Sequence, residues 1–141
     1  MKSVDFDVIS GLLALHLAGF AVWIGFLAGF LVLGARAVAL LRWCLIAMPI
    51  SLVSGWALAF VQYGGPGGWP WAINAMQTAG LAMAVVLLVA WFGGLLLVRD
   101  ADAARDAEAQ DQAMRRLTRL AGIDLVLGGL ILGFAVLGRY G

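Results

Sequence analysis

Polar side chains inside apolar stretches are the residues with which this chain could do chemistry. His16 is the only histidine, and it lies in an apolar stretch long enough to cross a membrane. An imidazole there could join two helices by a hydrogen bond, bind a haem iron as an axial ligand, or bind copper together with Met76 or Met83. The residues themselves leave these three roles open.

Trp23 follows His16 by seven residues. Because seven residues make almost two turns of an α-helix, the two side chains are expected on nearly the same helix face. Four more residues continue this face: Gly19, Phe20, Leu27 and Phe30. A second face of the same helix is built from small residues and should let a neighbouring helix approach closely. Its members are Ala14, Ala18, Ala21, Gly25 and Gly29.

Two amide side chains on the third apolar stretch could meet this histidine. Asn74 and Gln77 are three residues apart, so they are expected to share one side of a helix. We predict a cofactor-binding cluster formed by His16, Trp23, Asn74 and Gln77, in which His16 is the metal ligand.

Asp124 is an acidic residue within the fourth apolar stretch. A carboxylate in hydrocarbon needs a partner, which could be the indole N–H of Trp23 or the long side chain of Arg42 or Arg119. Its role could be that of a paired structural group or of a proton relay.

The composition indicates the environment of the chain. Hydrophobic residues make up 64% of it and charged residues 12%, and the mean hydropathy is +1.01. Soluble domains carry about 25% charged residues, so we predict an integral membrane protein. A net charge of +1 gives no indication of a nucleic-acid partner. Cys44 is the only cysteine, which excludes an intramolecular disulfide. The sequence contains no motif of a catalytic domain outside the membrane, so we expect any activity to be intramembrane.

Four stretches have the length and hydropathy of membrane spans, and short connections join them. They cover about residues 8–34, 43–63, 71–98 and 117–137. We predict an all-α fold, a polytopic membrane four-helix bundle made by the single domain 1–141. Residues 99–116 are polar and rich in helix formers, which predicts a helical hairpin on the cytoplasmic side. The first span is longer than the apolar region of a signal peptide, so we expect it to be retained.

The arginines predict how the bundle is oriented. Seven lie in or next to the two connections that would share one side of the membrane: Arg36, Arg42, Arg99, Arg105, Arg115, Arg116 and Arg119. Only Lys2 and Arg139 lie on the other side. The positive-inside rule therefore places both termini and the turn 64–70 on the periplasmic or outer side of a cell inner (plasma) membrane.

Two further seams of small residues have helix-contact spacing. One runs along the second span through Ala47, Ser51, Gly55 and Ala59, and Gly129 and Gly133 form a second on the last span. Packing within the bundle and self-association are both possible uses of such seams.

One motif in the first span resembles a known family. It has the pattern H-x6-W-[ILVM]-G, supplied here by His16, Trp23, Ile24 and Gly25. It resembles the opening helix of the copper-resistance D (CopD) superfamily, which includes the HemJ-type protoporphyrinogen oxidases.

Residues 48–60, 71–81 and 115–140 are similar to the second, third and closing helices of small CopD-like proteins, so the resemblance covers most of the chain. In that superfamily the first-span histidine is associated with copper handling or with haem. The resemblance therefore implies haem b or copper as the cofactor, held by His16.

Three functional hypotheses follow. The first is a CopD-like bundle that binds haem or a metal through His16 and acts in electron transfer or in copper or haem handling. The second is a membrane subunit or assembly factor with no cofactor, which packs through its glycine seams as a homodimer or within a larger complex in the lipid bilayer. The third is proton or small-solute movement that uses Asp124, which predicts a cavity leading from Asp124 towards His16.

Overall fold

The described part of the chain contains five α-helices. The computed structural model describes the backbone of residues 3–140 and, within it, the side chains of residues 6–34 and 36–138. Its helices are α1 (Ser3–Leu33), α2 (Leu40–Tyr63), α3 (Trp71–Ala90), α4 (Leu96–Ala104) and α5 (Ala107–Tyr140). Lys2 and the side chain of Arg139, which entered the orientation argument, lie outside the described residues.

Four segments are long and apolar enough to cross a membrane, as the sequence predicted. They are Phe6–Leu33, Leu40–Tyr63, Trp71–Ala104 and Ala107–Gly138. The second has nearly its predicted bounds, whereas the third and fourth continue into the polar connection. This extension follows from the composition of residues 99–116, whose helix formers allow the backbone to stay helical after the apolar sequence ends.

The four long helices form a closed ring in which chain neighbours are also neighbours in space. Helix α1 packs against α2 and α5, and α3 packs against the same two helices. Short connections favour this order, because the link from α1 to α2 and the link from α2 to α3 are each only a few residues long. The interior of the ring is therefore lined by four helices.

A helical hairpin joins α3 to α5. The five-residue π-helix Trp91–Leu95 links α3 to α4. Arg105, the residue that follows α4, has a left-handed backbone with φ of 55°. Asp106 then caps α5 by accepting a hydrogen bond from the backbone N–H of Ala109 at 3.0 Å. The predicted helical hairpin is therefore present in the fold.

The face of α1 that carries His16 and Trp23 points inward. Trp23, Leu27 and Phe30 are fully buried, whereas the small-residue ridge that begins at Ala14 is exposed as far as Gly25. Within the bundle the ridge meets a neighbouring helix at Gly29, where a Cβ would lie 3.0 Å from Cδ1 of Leu40 on α2, and not at its four exposed members. On the inward face, α1 approaches α2 closely at Gly19. The large side chains face inward because burying them gains more free energy than burying alanines.

Candidate intramembrane site

A cavity of about 240 Å³ lies inside the ring of helices. All four long helices contribute to its lining, which includes His16 from α1, Gly55 from α2, Gln77 from α3 and Ile131 from α5. It extends from the level of Trp23 towards the end of α2 that precedes the α2–α3 turn. The first-span histidine therefore lies beside a cavity in the fold.

The ring of His16 is fixed by a backbone carbonyl. Its Nδ1 lies 2.8 Å from the carbonyl oxygen of Ser51 on α2. A carbonyl can only accept, so Nδ1 must carry the hydrogen and donate it. In the neutral ring this leaves the lone pair on Nε2, which is the tautomer that metal-binding histidines usually adopt.

Glycines at two positions allow the imidazole to reach that carbonyl. A Cβ at Gly55 would lie 2.7 Å from Cε1 and 2.8 Å from Nδ1 of His16, so the ring occupies the space that a side chain would fill. A Cβ at Gly19 would lie 3.0 Å from the backbone nitrogen of Ser51. The small-residue seam on α2 is thus used inside the bundle, where it receives α1.

Helix α3 closes the cavity opposite His16. The side-chain amide of Gln77 donates to the carbonyl of Gly55 at 3.2 Å, which places Gln77 at the same level as the imidazole. Met76 and Met83 also line the cavity, and their spacing of seven residues puts Met83 about two turns deeper.

Asn74 departs from the predicted cluster. Its side chain is exposed and donates to the carbonyl of Trp69 at 3.2 Å, and it does not line the cavity. The structure therefore brings together His16, Trp23 and Gln77, whereas Asn74, in the first turn of α3, bonds back to the preceding turn. Asn74 is three residues from Gln77 and so lies on the same side of α3. Its amide nevertheless donates to the carbonyl of Trp69 in the preceding turn and does not reach the cavity.

Asp124 forms a second polar centre, beyond Trp23. The indole N–H of Trp23 donates to Oδ2 of Asp124 at 3.2 Å, which is one of the pairings that the sequence suggested. The other two candidates, Arg42 and Arg119, are exposed. Asp124 is not part of the cavity lining, so the cavity predicted to run between Asp124 and His16 ends at Trp23.

Two residues at the site had no role in the sequence-based prediction. Ser51 supplies the carbonyl that orients His16, and Gly55 supplies the space for its ring. The only sequence signal for either is the small-residue seam to which both belong. That spacing indicates a close contact on α2 but cannot indicate which side chain fills it.

Within the described part of the chain, no group of three or more His, Cys, Asp or Glu residues is placed to hold a metal ion. The fold and the cavity together define a class of protein, a four-helix bundle of membrane-spanning length with an internal histidine site. Comparisons with protein-family models, curated proteins and solved structures found no match to this chain.

Proposed function

We propose that this chain binds a soft monovalent cation, cuprous ion, in the cavity and acts in copper handling in the inner (plasma) membrane. The observation that supports this most directly is the hydrogen bond from Nδ1 of His16 to the carbonyl of Ser51. It holds the ring with the Nε2 lone pair free, and a second hydrogen bond of this kind is the usual support of a metal-binding histidine.

The other lining residues agree with a soft cation. Met76 lines the same cavity as His16 and carries a thioether, a ligand that prefers Cu⁺ over hard cations. Among the described residues no carboxylate or thiolate lines the cavity, so nothing there would offset the charge of a divalent ion. His16 Nε2 and the sulfur of Met76 would therefore hold the ion, with the amide of Gln77 beside them.

The size of the cavity favours an ion over haem. Drug-sized ligands occupy cavities of about 300–1,000 Å³, and this one measures about 240 Å³. A haem would also require the four helices to separate at the level of Gln77, which bonds to the backbone of α2. We expect the α2–α3 turn, and the end of the cavity that extends towards it, on the outer side of the membrane together with both termini, in agreement with the arginine distribution.

Cation binding by purified protein tests this proposal. Ag⁺ is a redox-stable analogue of Cu⁺, and we expect His16→Ala to weaken its binding at least tenfold. Met76→Leu, which keeps the volume of the side chain, should weaken it less, and the exposed-site control Asn74→Ala should leave it unchanged. Equal affinity of the wild type and both cavity variants would overturn the proposal. A Soret band that is lost in His16→Ala would instead assign the cavity to haem.

A second function is favoured by glycines that contact nothing in the bundle. A Cβ at Gly25, Gly129 or Gly133 would find no atom within 4 Å. Small residues that face lipid often receive another transmembrane helix, so the chain could be a subunit of a homodimer or of a larger membrane complex. Gly129→Leu and Gly133→Leu should then abolish the association without changing Ag⁺ binding. A wild-type protein that remains monomeric at all concentrations would exclude the homodimer.

A further inference from the structure

Asp124 is buried in the core of the bundle with one of its two oxygens unused. The residue is 1% exposed. Oδ2 accepts the indole N–H of Trp23, whereas Oδ1 is fully buried and has no hydrogen-bond partner. Native proteins almost always satisfy buried polar atoms, so an exception of this kind requires an explanation.

The groups around Asp124 include no cation. Helix α1 presents Trp23, and α2 presents the thiol of Cys44, which donates to the carbonyl of Trp23 at 3.6 Å. The buried residues of α3 are alanines, Gly80, Met83 and Leu87, none of which titrates. Within the described side chains the only ion pair joins Arg115 and Asp111 on the surface of the hairpin.

A carboxylate in these surroundings would be a buried charge with a single hydrogen bond. Burying an ion without a counter-charge is far more costly than burying a neutral acid, so such groups take up a proton. We propose that Asp124 is a proton-binding site whose proton, carried on Oδ1, is released when a cation enters the His16 cavity. The second half of this inference rests on the function proposed above.

Trp23 connects the two sites. Its ring lines the cavity, and its N–H holds Asp124. The seven residues from His16 to Trp23 span about 10 Å along α1. At that distance and an effective dielectric constant of about 20, a bound cation favours the ionised carboxylate about tenfold. The O–H bond of Asp124 then breaks, the proton passes to water, and the cation replaces its charge, so the net charge of the core does not change.

Infrared spectroscopy of the purified protein in deuterated buffer tests the proton site independently of any cation. A neutral carboxylic acid has a C=O stretching band separate from that of a carboxylate, and we expect one such band at neutral pH. It should vanish in Asp124→Asn and persist in Asp111→Asn, the control on the exposed hairpin. Asp124→Val serves as a second variant if the asparagine variant does not fold. A spectrum that is the same in wild type and Asp124→Asn would overturn the proton site.

Proton release tests the linkage. Ag⁺ is added to weakly buffered protein at about pH 7, and the protons released are counted with an indicator dye. We expect up to one proton per bound Ag⁺ in wild type and none in Asp124→Asn, which still binds the ion and loses less than the tenfold affinity that an ionised carboxylate would contribute. Binding without release would overturn the linkage alone. Failure of Ag⁺ to bind would overturn the linkage and the proposed function together, while the infrared result would stand.

Discussion

At the scale of single residues, the imidazole of His16 illustrates how a backbone atom determines the chemistry of a side chain. The carbonyl of Ser51 fixes which nitrogen carries the hydrogen, and the missing side chain of Gly55 fixes where the ring can lie. The residue is oriented towards a space shared with α3, as the sequence-based hypothesis required. Neither the acceptor nor the space can be changed without moving the ring.

We therefore expect Gly55→Ala to weaken Ag⁺ binding at least tenfold. The new Cβ would lie 2.7 Å from Cε1 of His16, a separation that forces the imidazole away from Ser51. Calorimetric titration of the folded protein measures the effect. Gly11→Ala is the matched control, because a Cβ there meets nothing within 4 Å. Equal Ag⁺ affinities of the two variants would show that the position of the imidazole ring does not affect Ag⁺ binding.

The pair of Trp23 and Asp124 gives a second prediction at this scale. Trp23→Phe removes the only hydrogen bond of a buried acid, so it should lower the free energy of unfolding by about 1–3 kcal/mol. Trp71→Phe, at a position that is 57% exposed, should have a much smaller effect. Unfolding in mixed detergent micelles measures both.

The corresponding double variant separates the hydrogen bond from the size of the indole. Trp23→Phe with Asp124→Val replaces both partners by apolar groups, and it should recover part of the lost stability because no polar atom is left unsatisfied. A double variant less stable than Trp23→Phe would show that the loss comes from the cavity left by the smaller ring.

The sequence predicted part of the site because helical periodicity relates residues within one helix. It placed His16 and Trp23 on one face, and it included Trp23 among the possible partners of Asp124. It could not exclude Asn74, whose acceptor, the carbonyl of Trp69, lies in an irregular turn. It also gave Ser51 no role at the site, because backbone carbonyls have no signature in a sequence.

At the scale of helices, small residues mark possible contacts but do not say which of them are used. The seam on α2 receives α1, whereas the exposed members of the ridge on α1 and the glycines at 129 and 133 face outward. Spacing alone cannot distinguish these cases. Which small residues are used depends on the large side chains of the same helix, because each helix turns its bulkiest residues towards the interior.

Two adjacent glycines on α5 provide a matched test of this point. A Cβ at Gly128 would overlap the side chain of Ile24 on α1, whereas a Cβ at Gly129 would meet nothing. Gly128→Ala should therefore lower the free energy of unfolding by about 1–3 kcal/mol through overpacking. Gly129→Ala should leave it unchanged or raise it slightly, since alanine is the better helix former. A reversed order would mean that α1 and α5 pack through a different face.

At the scale of the whole molecule, hydropathy was sufficient to predict four spans and an all-α fold. With no water in the hydrocarbon region, long apolar stretches have few alternatives to the helix. The ends of the helices were less well predicted. Hydropathy falls where the chain leaves the membrane. The backbone stays helical beyond that point, up to Ala104 in α4 and again from Ala107 in α5.

The orientation of the bundle is a prediction that fusion proteins can test. A green fluorescent protein inserted between Arg105 and Asp106 should fluoresce, because the arginine-rich hairpin is expected in the cytoplasm. An alkaline phosphatase fused after the last residue should be active, because that enzyme requires the oxidising periplasm. Exchanging the two reporters provides the control, since both should then be inactive. The opposite pattern would mean that the bundle is inverted, with the α2–α3 turn on the cytoplasmic side.

The burial of Cys44 has a practical consequence for experiments of this kind. It is the only cysteine of the chain, and its sulfur is fully enclosed beside the carbonyl of Trp23. Thiol-reactive labels that modify exposed cysteines should leave it untouched. Pairs of spin labels can therefore be attached to introduced cysteines, and interhelical distances measured in lipid, without removing a native residue.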